Sequence, residues 1–387
     1  MTTGGLLELR PALRPGILVG PALMRGPALV HLLKDPVTGV RLEVGAKEHF
    51  IITRLDGSRS LAEIGTEYAD RFGARLGDAQ WQRMLRLLST RQLLDGGGRP
   101  VVVPAAASVQ PVVKSTLLSG RTRMVADAPA LMDTLHGATA FARRRAVLFP
   151  LLALAVAVLA LVGLRFGELA DQTGRLYDQP VALAAVGCVL WVSLGLHELA
   201  HGLVARAYGL RVGEIGLRRV WGFMTYLYCE VHDVQFLDRR GRQVAVAAAG
   251  AVMNLLFLAP FWLVWALLPE HAQALPFFGG LILLGAAMAL LNLLPLPPLD
   301  GYKALGYTLG TLQLATESRQ FLGVTARALL GRRADSGRDG AAAAAAATTS
   351  RGPGPGRNAR ARLAAYPARL RVIYGGYAAC CAVLALA

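Results

Sequence analysis

The chain is short of cysteine: four residues in 387, Cys188, Cys229, Cys380 and Cys381, with no C-x-x-C pair among them. A disulfide-stapled secreted scaffold is therefore excluded. Acidic residues are also scarce, 25 against 41 lysines and arginines, which leaves a formal charge of +16. Such a balance can mark a nucleic-acid binder, but here the basic residues lie between apolar runs rather than among exposed aromatics, so no nucleic-acid partner is expected. Their placement suits lipid headgroups and topology signals. The first residues, MTTGGLLELRPALRPG, hold no continuous apolar stretch. A cleavable signal peptide is not expected, and insertion must rely on internal segments.

What the chain has in excess is oil. Hydrophobic residues make up 54% of it and the mean hydropathy is +0.43, more than a soluble domain of this size carries. The excess begins at residue 146, where AVLFPLLALAVAVLALVGL is long enough to cross a hydrocarbon core of about 30 Å at about 1.5 Å per residue. Further apolar runs cover 180–204, 244–268 and 277–294, and a last one from Val372 is still apolar at Ala387, a truncated or very short final span. Arg143, Arg144 and Arg145 precede the first span, and Arg206, Arg211, Arg218, Arg219, Arg239, Arg240 and Arg242 fill the second-to-third connection. The connections 165–179 and 269–276 are short and near neutral or acidic. Positive-inside counting then puts the N-terminal region and the basic loops in the cytoplasm, in a chain that reads as bacterial and integral to the cytoplasmic membrane.

The soluble part is smaller. HLLKDPVTGVRLEVG alternates about an Asp-Pro and a Thr-Gly turn, which is the grammar of a hairpin, and Ser60 before LAE starts a helix with a capping box. Residues 1–95 are expected to form a small α+β domain, 96–142 a linker and 143–310 a transmembrane core. Residues 311–371 are expected to form a basic, partly disordered cytoplasmic loop, in which the alanine run and GPGPGRNARAR are low-complexity tether. The fold class is mainly α, a polytopic membrane helical bundle with the small α+β domain attached.

Chemistry sits in the second span, at HELAH. One turn apart, His197 and His201 share a helix face and can hold one ion, with Glu198 beside them to take a proton from water. Zinc suits the pair, and a catalytic zinc site wants three protein ligands and an open position. Asp300 in NLLPLPPLDG is the candidate third ligand. The second and fourth spans run the same way and carry their motifs toward the same end, and Pro295, Pro297 and Pro298 break the helix before Asp300. Asn254 and Asn292, amides inside the apolar runs, could bind the substrate strand or only join helices. Cys229, His232 and Asp233 could suggest a second metal site; a packed interfacial loop over 223–243 is the preferred reading.

The pairing of HELAH with N-x-x-P-x-x-x-L-D-G resembles the site-2 protease family of membrane-embedded zinc metalloproteases, and the loop FMTYLYCEVHDVQFLDRRGRQ resembles a bacterial peptide zinc metalloprotease branch. The resemblance implies zinc held by His197, His201 and Asp300, and Glu198 as the catalytic residue. The family's G-x-x-x-N signature is matched by Gly250 and Asn254, with Ala251 where a proline is usual. Residues 20–95 resemble the winged-helix-like domain that recognises leader peptides in peptide-modifying enzymes, with RLDGSRSLAEI the most similar stretch; a structural cap or an oligomer contact is the other reading. These resemblances imply intramembrane cleavage of a peptide or membrane-protein substrate near the cytoplasmic face, within a peptide-export or maturation assembly. Two alternatives are a non-catalytic membrane scaffold of such a system and a membrane-tethered peptide-binding module.

Overall fold

The computed structural model describes residues 4–95, 120–220, 224–336 and 361–386. In chain order these form α1 (Gly4–Leu7), β1 (Leu18–Val19), β2 (Leu23–Arg25), β3 (Ala28–Lys34), β4 (Arg41–Gly45), α2 (Ala46–Ile52), α3 (Leu61–Phe72) and α4 (Asp78–Thr90). Then come β5 (Gly120–Arg123), α5 (Ala128–Ala138), α6 (Arg145–Leu164), α7 (Phe166–Leu176), α8 (Pro180–Ala207), β6 (Val212–Val220) and β7 (Met224–Val231). The rest is α9 (Arg240–Leu267), α10 (Leu275–Asn292), α11 (Asp300–Leu309), α12 (Leu314–Ser336) and α13 (Ala368–Leu386). The chain divides into two compact units, 1–110 with 309–387, and 111–308.

In the first unit β3 is the central strand, antiparallel to β1, β2 and β4. The β3–β4 hairpin turns on Asp35, which is buried and accepts hydrogen bonds from Val37 N–H (2.8 Å), the Thr38 hydroxyl (2.9 Å) and Arg14 (2.9 Å). The sheet closes on the helices through Leu33, Val44, Ile52, Leu61, Ile64, Trp81 and Leu88, whose burial is the main stabilising term. The capping box is formed: Glu63 N–H donates to Ser60 Oγ at 3.2 Å and Ser60 N–H to Glu63 Oε2 at 2.6 Å. Residues 310–312 add to the edge of β2, with Met24 N–H donating to Gly310 O (2.7 Å) and Leu312 N–H to Met24 O (3.1 Å). Next to them α12 and α13 pack through Phe321 and Tyr374. The final apolar run thus forms a helix, starting four residues earlier than its apolar stretch. The low-complexity tether at 337–360 and the expected linker residues 96–119 lie outside the described residues.

The second unit contains four helices that, by length and composition, can cross a membrane: α6, α8, α9 and α10. Each has few charges within its apolar stretch. α8 and α10 both pack on α9, with Val158, Leu258, Trp262 and Ile282 in one cluster.

Residues 314–336 of the expected basic loop form the helix α12, and three segments of the second unit also differ from the sequence reading. The 165–179 connection is not merely a loop but contains the helix α7, whose Leu169 and Leu176 are fully buried. α7 packs along α10, with Gln172 and Leu176 against Gly279 and Gly280. The expected interfacial loop instead holds the strand β7, paired with β6, and β6 in turn pairs with β5 from the expected linker. α5 follows β5, so residues 120–138 belong to this unit rather than to a tether. Met132 of α5 is fully buried against β6.

Candidate metal centre

A helix turns about 100° per residue, so positions 197 and 201 of α8 stack one turn apart on one face. That face is turned into the unit: His197 is 2% exposed and His201 8%. The third member arrives from a different element. α10 ends at Asn292, residues 293–299 run without helix through three prolines, and Asp300 is the first residue of α11. It thus stands at a helix start, not on the unwound stretch itself. Gly301 beside it is required by the tight return of the chain, because a Cβ there would overlap the backbone of Leu293.

The three side chains converge. Asp300 Oδ2 lies 2.9 Å from His197 Nε2 and 3.0 Å from His201 Nε2, and the two imidazole nitrogens are 3.2 Å apart. Separations of this size are what three ligands about 2.0–2.1 Å from one shared ion require. Among the described residues this is the one group of three or more histidine, cysteine, aspartate or glutamate side chains placed to hold a metal. Its two nitrogens and one oxygen are a donor set that suits zinc. Cys229, His232 and Asp233 form no comparable cluster.

The outer atoms of the three residues are also held. His201 Nδ1–H donates to the Val246 carbonyl at 2.6 Å, which leaves Nε2 as the nitrogen with the lone pair when the ring is neutral. Lys303 Nζ donates to Asp300 Oδ1 at 2.8 Å, so the carboxylate keeps its other oxygen for the histidines. The His197 Nδ1 is 3.1 Å from the Asn254 amide, and that amide reaches Ser193 Oγ at 3.2 Å. Asn254 and Ser193 are each 1% exposed. Gly250, one turn before Asn254, lies flat against the His197 ring, and a Cβ at that position would overlap the imidazole.

Glu198 is held by a separate element, β7. It is half-buried, and its Oε2 accepts from the backbone N–H of Cys229 in β7 at 3.4 Å. β7 lies along α8, with Leu227 and Cys229 against Gly195 and Gly202. At the other end of this contact, Trp191 Nε1 donates to Thr225 O at 2.8 Å. Backbone groups of residues 225 and 229, both on β7, therefore bond to the histidine helix. Beside Glu198, burial and the carboxylates of Glu198 and Glu230 push the Cys229 thiol up to about 12. It stays protonated at neutral pH. Asn292, the last residue of α10, is half-buried, and none of the hydrogen bonds around the three donors involves it.

Ser193, Val246 and Lys303 are the site residues that the sequence did not single out. Lys303 could have been found from its i, i+3 spacing to Asp300. The others depend on how α8 meets α9.

No family model matches the chain, and no solved structure does. A protein of Synechocystis sp. with the name "Putative zinc metalloprotease" is 31% identical over 137 residues, which is 35% of this chain. The match covers 33% of the relative, so the chain spans about a third of the length of the curated protein it matches.

Proposed function

We propose that the protein is a membrane-embedded zinc endopeptidase of the site-2 protease type that cleaves a peptide or membrane-protein substrate near the cytoplasmic face. The observation that carries this is the buried convergence of His197, His201 and Asp300 within 4.8 Å of one another, in a unit of four helices apolar enough to cross a bilayer. Three ionisable groups at such depth are costly, by several kcal/mol or so each, and are kept for a function. The similarity to the Synechocystis protein supports the same reading.

Bound zinc supplies Lewis acidity, polarising the scissile carbonyl and lowering the pKa of water. His197, His201 and Asp300 would hold it, with Val246 and Lys303 fixing the orientation of His201 and Asp300. Glu198, next to the first ligand, takes the proton of the attacking water and passes it to the leaving nitrogen. The Cys229 N–H keeps that carboxylate in place. A helical substrate must unwind before its carbonyl is reachable, because the helix spends those carbonyls on its own hydrogen bonds.

The first unit fits a peptide-recognition role of the winged-helix-like kind. Its strand β4 pairs only with β3 among the described residues, which leaves an edge to which an extended leader peptide can add. Substrate would thus be delivered to the membrane unit as part of a peptide-maturation or export system, with the N-terminal unit in the cytoplasm.

The test is the purified full chain in detergent with zinc, offered reduced β-casein as an unfolded polypeptide, with product termini read by mass spectrometry. The wild type is expected to cleave it, and Glu198→Gln to lose about 10²–10⁴-fold in rate while keeping its zinc. Cleavage retained in that variant overturns the mechanism.

A further inference from the structure

His201 and His197 are oriented by different kinds of group. The outer nitrogen of His201 faces a backbone carbonyl, which can only accept. That of His197 faces an amide, which can do either, depending on which end is presented. With Asn254 Nδ2 toward the ring and Oδ1 toward Ser193, Nδ1 is the acceptor and the imidazole proton is left on Nε2, aimed at Asp300 Oδ2. That arrangement is satisfied but closed to a metal, because Nε2 then has no lone pair to give. Move the proton to Nδ1 and the site opens, but an N–H now confronts an NH₂ group, donor against donor, inside a 1–2% exposed cluster where neither can turn to water.

Turning the amide end for end removes the conflict without changing its shape. Asn254 Oδ1 then accepts from His197 Nδ1–H, and Nδ2 donates to Ser193 Oγ, which has lone pairs to receive it. We infer that Asn254, braced by Ser193, is the positioning residue of His197: its oxygen holds the ring in the Nδ1–H tautomer and so presents Nε2 to the metal. The pair does for His197 what the Val246 carbonyl does for His201. This role differs from contact with substrate, one of the two readings that the sequence offers for Asn254. It rests on the zinc site proposed above but not on peptidase activity.

Zinc affinity separates the roles. The full chain in detergent, stripped of metal, is titrated with zinc against a chromophoric chelator, with Asn254→Leu, Asn254→Asp and Ser193→Ala compared with wild type. Asn254→Leu, which has no acceptor, should bind zinc about 10–100-fold more weakly, the usual cost of losing an outer partner of a metal-bound histidine. Asn254→Asp keeps an acceptor and should bind at least as tightly as wild type, whereas Ser193→Ala should fall between wild type and Asn254→Leu. Wild-type affinity in Asn254→Leu, or a loss in Asn254→Asp, overturns the inference. Should the leucine variant not fold, the aspartate variant decides alone, since a residue needed as a donor cannot be replaced by a carboxylate. A wild type that binds no zinc brings down the metal site itself, whereas equal zinc binding by all four proteins removes only the role of Asn254.

Discussion

Two buried aspartates, one in each unit, show opposite uses of the same side chain. Asp35 is 1% exposed and meets only donors: an arginine, a threonine hydroxyl and a backbone N–H. Both of its oxygens accept from these donors, and it fastens a turn. Asp300 is 6% exposed and has one such donor, Lys303, on Oδ1. Its Oδ2 instead confronts two imidazole nitrogens that also confront each other. Three atoms able to give lone pairs, gathered within about one ion's reach, are ill matched to one another and well matched to a cation. Burial alone therefore does not mark a site; the kind of partner does.

Substitution at each aspartate breaks the comparison in a different place. The largest effect is expected from Asp300→Ala, which removes a ligand: zinc stoichiometry by elemental analysis should fall from about one per chain toward zero after mild chelation, a greater loss than the roughly 10–100-fold that outer partners cost. Asp35→Ala should leave zinc bound and instead lower stability by about 3 kcal/mol, the low end for removing one partner of a buried ion pair because Arg14 is partly exposed. Thermal unfolding of the full chain measures this. If Asp35→Ala lost zinc, or Asp300→Ala kept it, the two carboxylates would not be different in kind.

Gly250→Ala sharpens the picture at His197. The added methyl must displace the imidazole, so zinc affinity should drop by about 10-fold or more with little change in helix content by circular dichroism. The smallest effect belongs to Lys303→Met, which releases Asp300 Oδ1 at a half-exposed rim. A loss of a few-fold in zinc affinity is expected there, read by the same chelator competition.

How legible this was in the sequence depended on the range of the contact. His197 and His201 come together by helix period alone, and Ser60 and Glu63 by capping geometry, so both can be read from five or fewer consecutive residues. Asp300 lies 99 residues from His201 and was reachable only because parallel spans and three prolines limit where an irregular segment can go. The amphipathic α7 was hidden by its short, neutral sequence, although Leu169, Gln172, Thr173 and Leu176 follow the helical period on its buried face. β7 was obscured in another way. Its YLYCEV alternation is strand-like, but the arginines around it read as a loop, and its pairing with β6, and of β6 with β5 nearly a hundred residues away, leaves no local mark. Ser193 and Asn254 carry no signal of partnership at all, since 61 residues separate them and only the meeting of α8 with α9 joins them.

The most direct test of the account is X-ray absorption at the zinc edge on the zinc-loaded full chain. Two imidazole nitrogens and oxygen donors at about 2.0–2.1 Å, with no sulfur near 2.3 Å, are predicted. A sulfur shell would place a cysteine such as Cys229 at the metal, and a spectrum with a single imidazole would mean that His197 and His201 do not share an ion; either result contradicts the convergence on which the assignment stands.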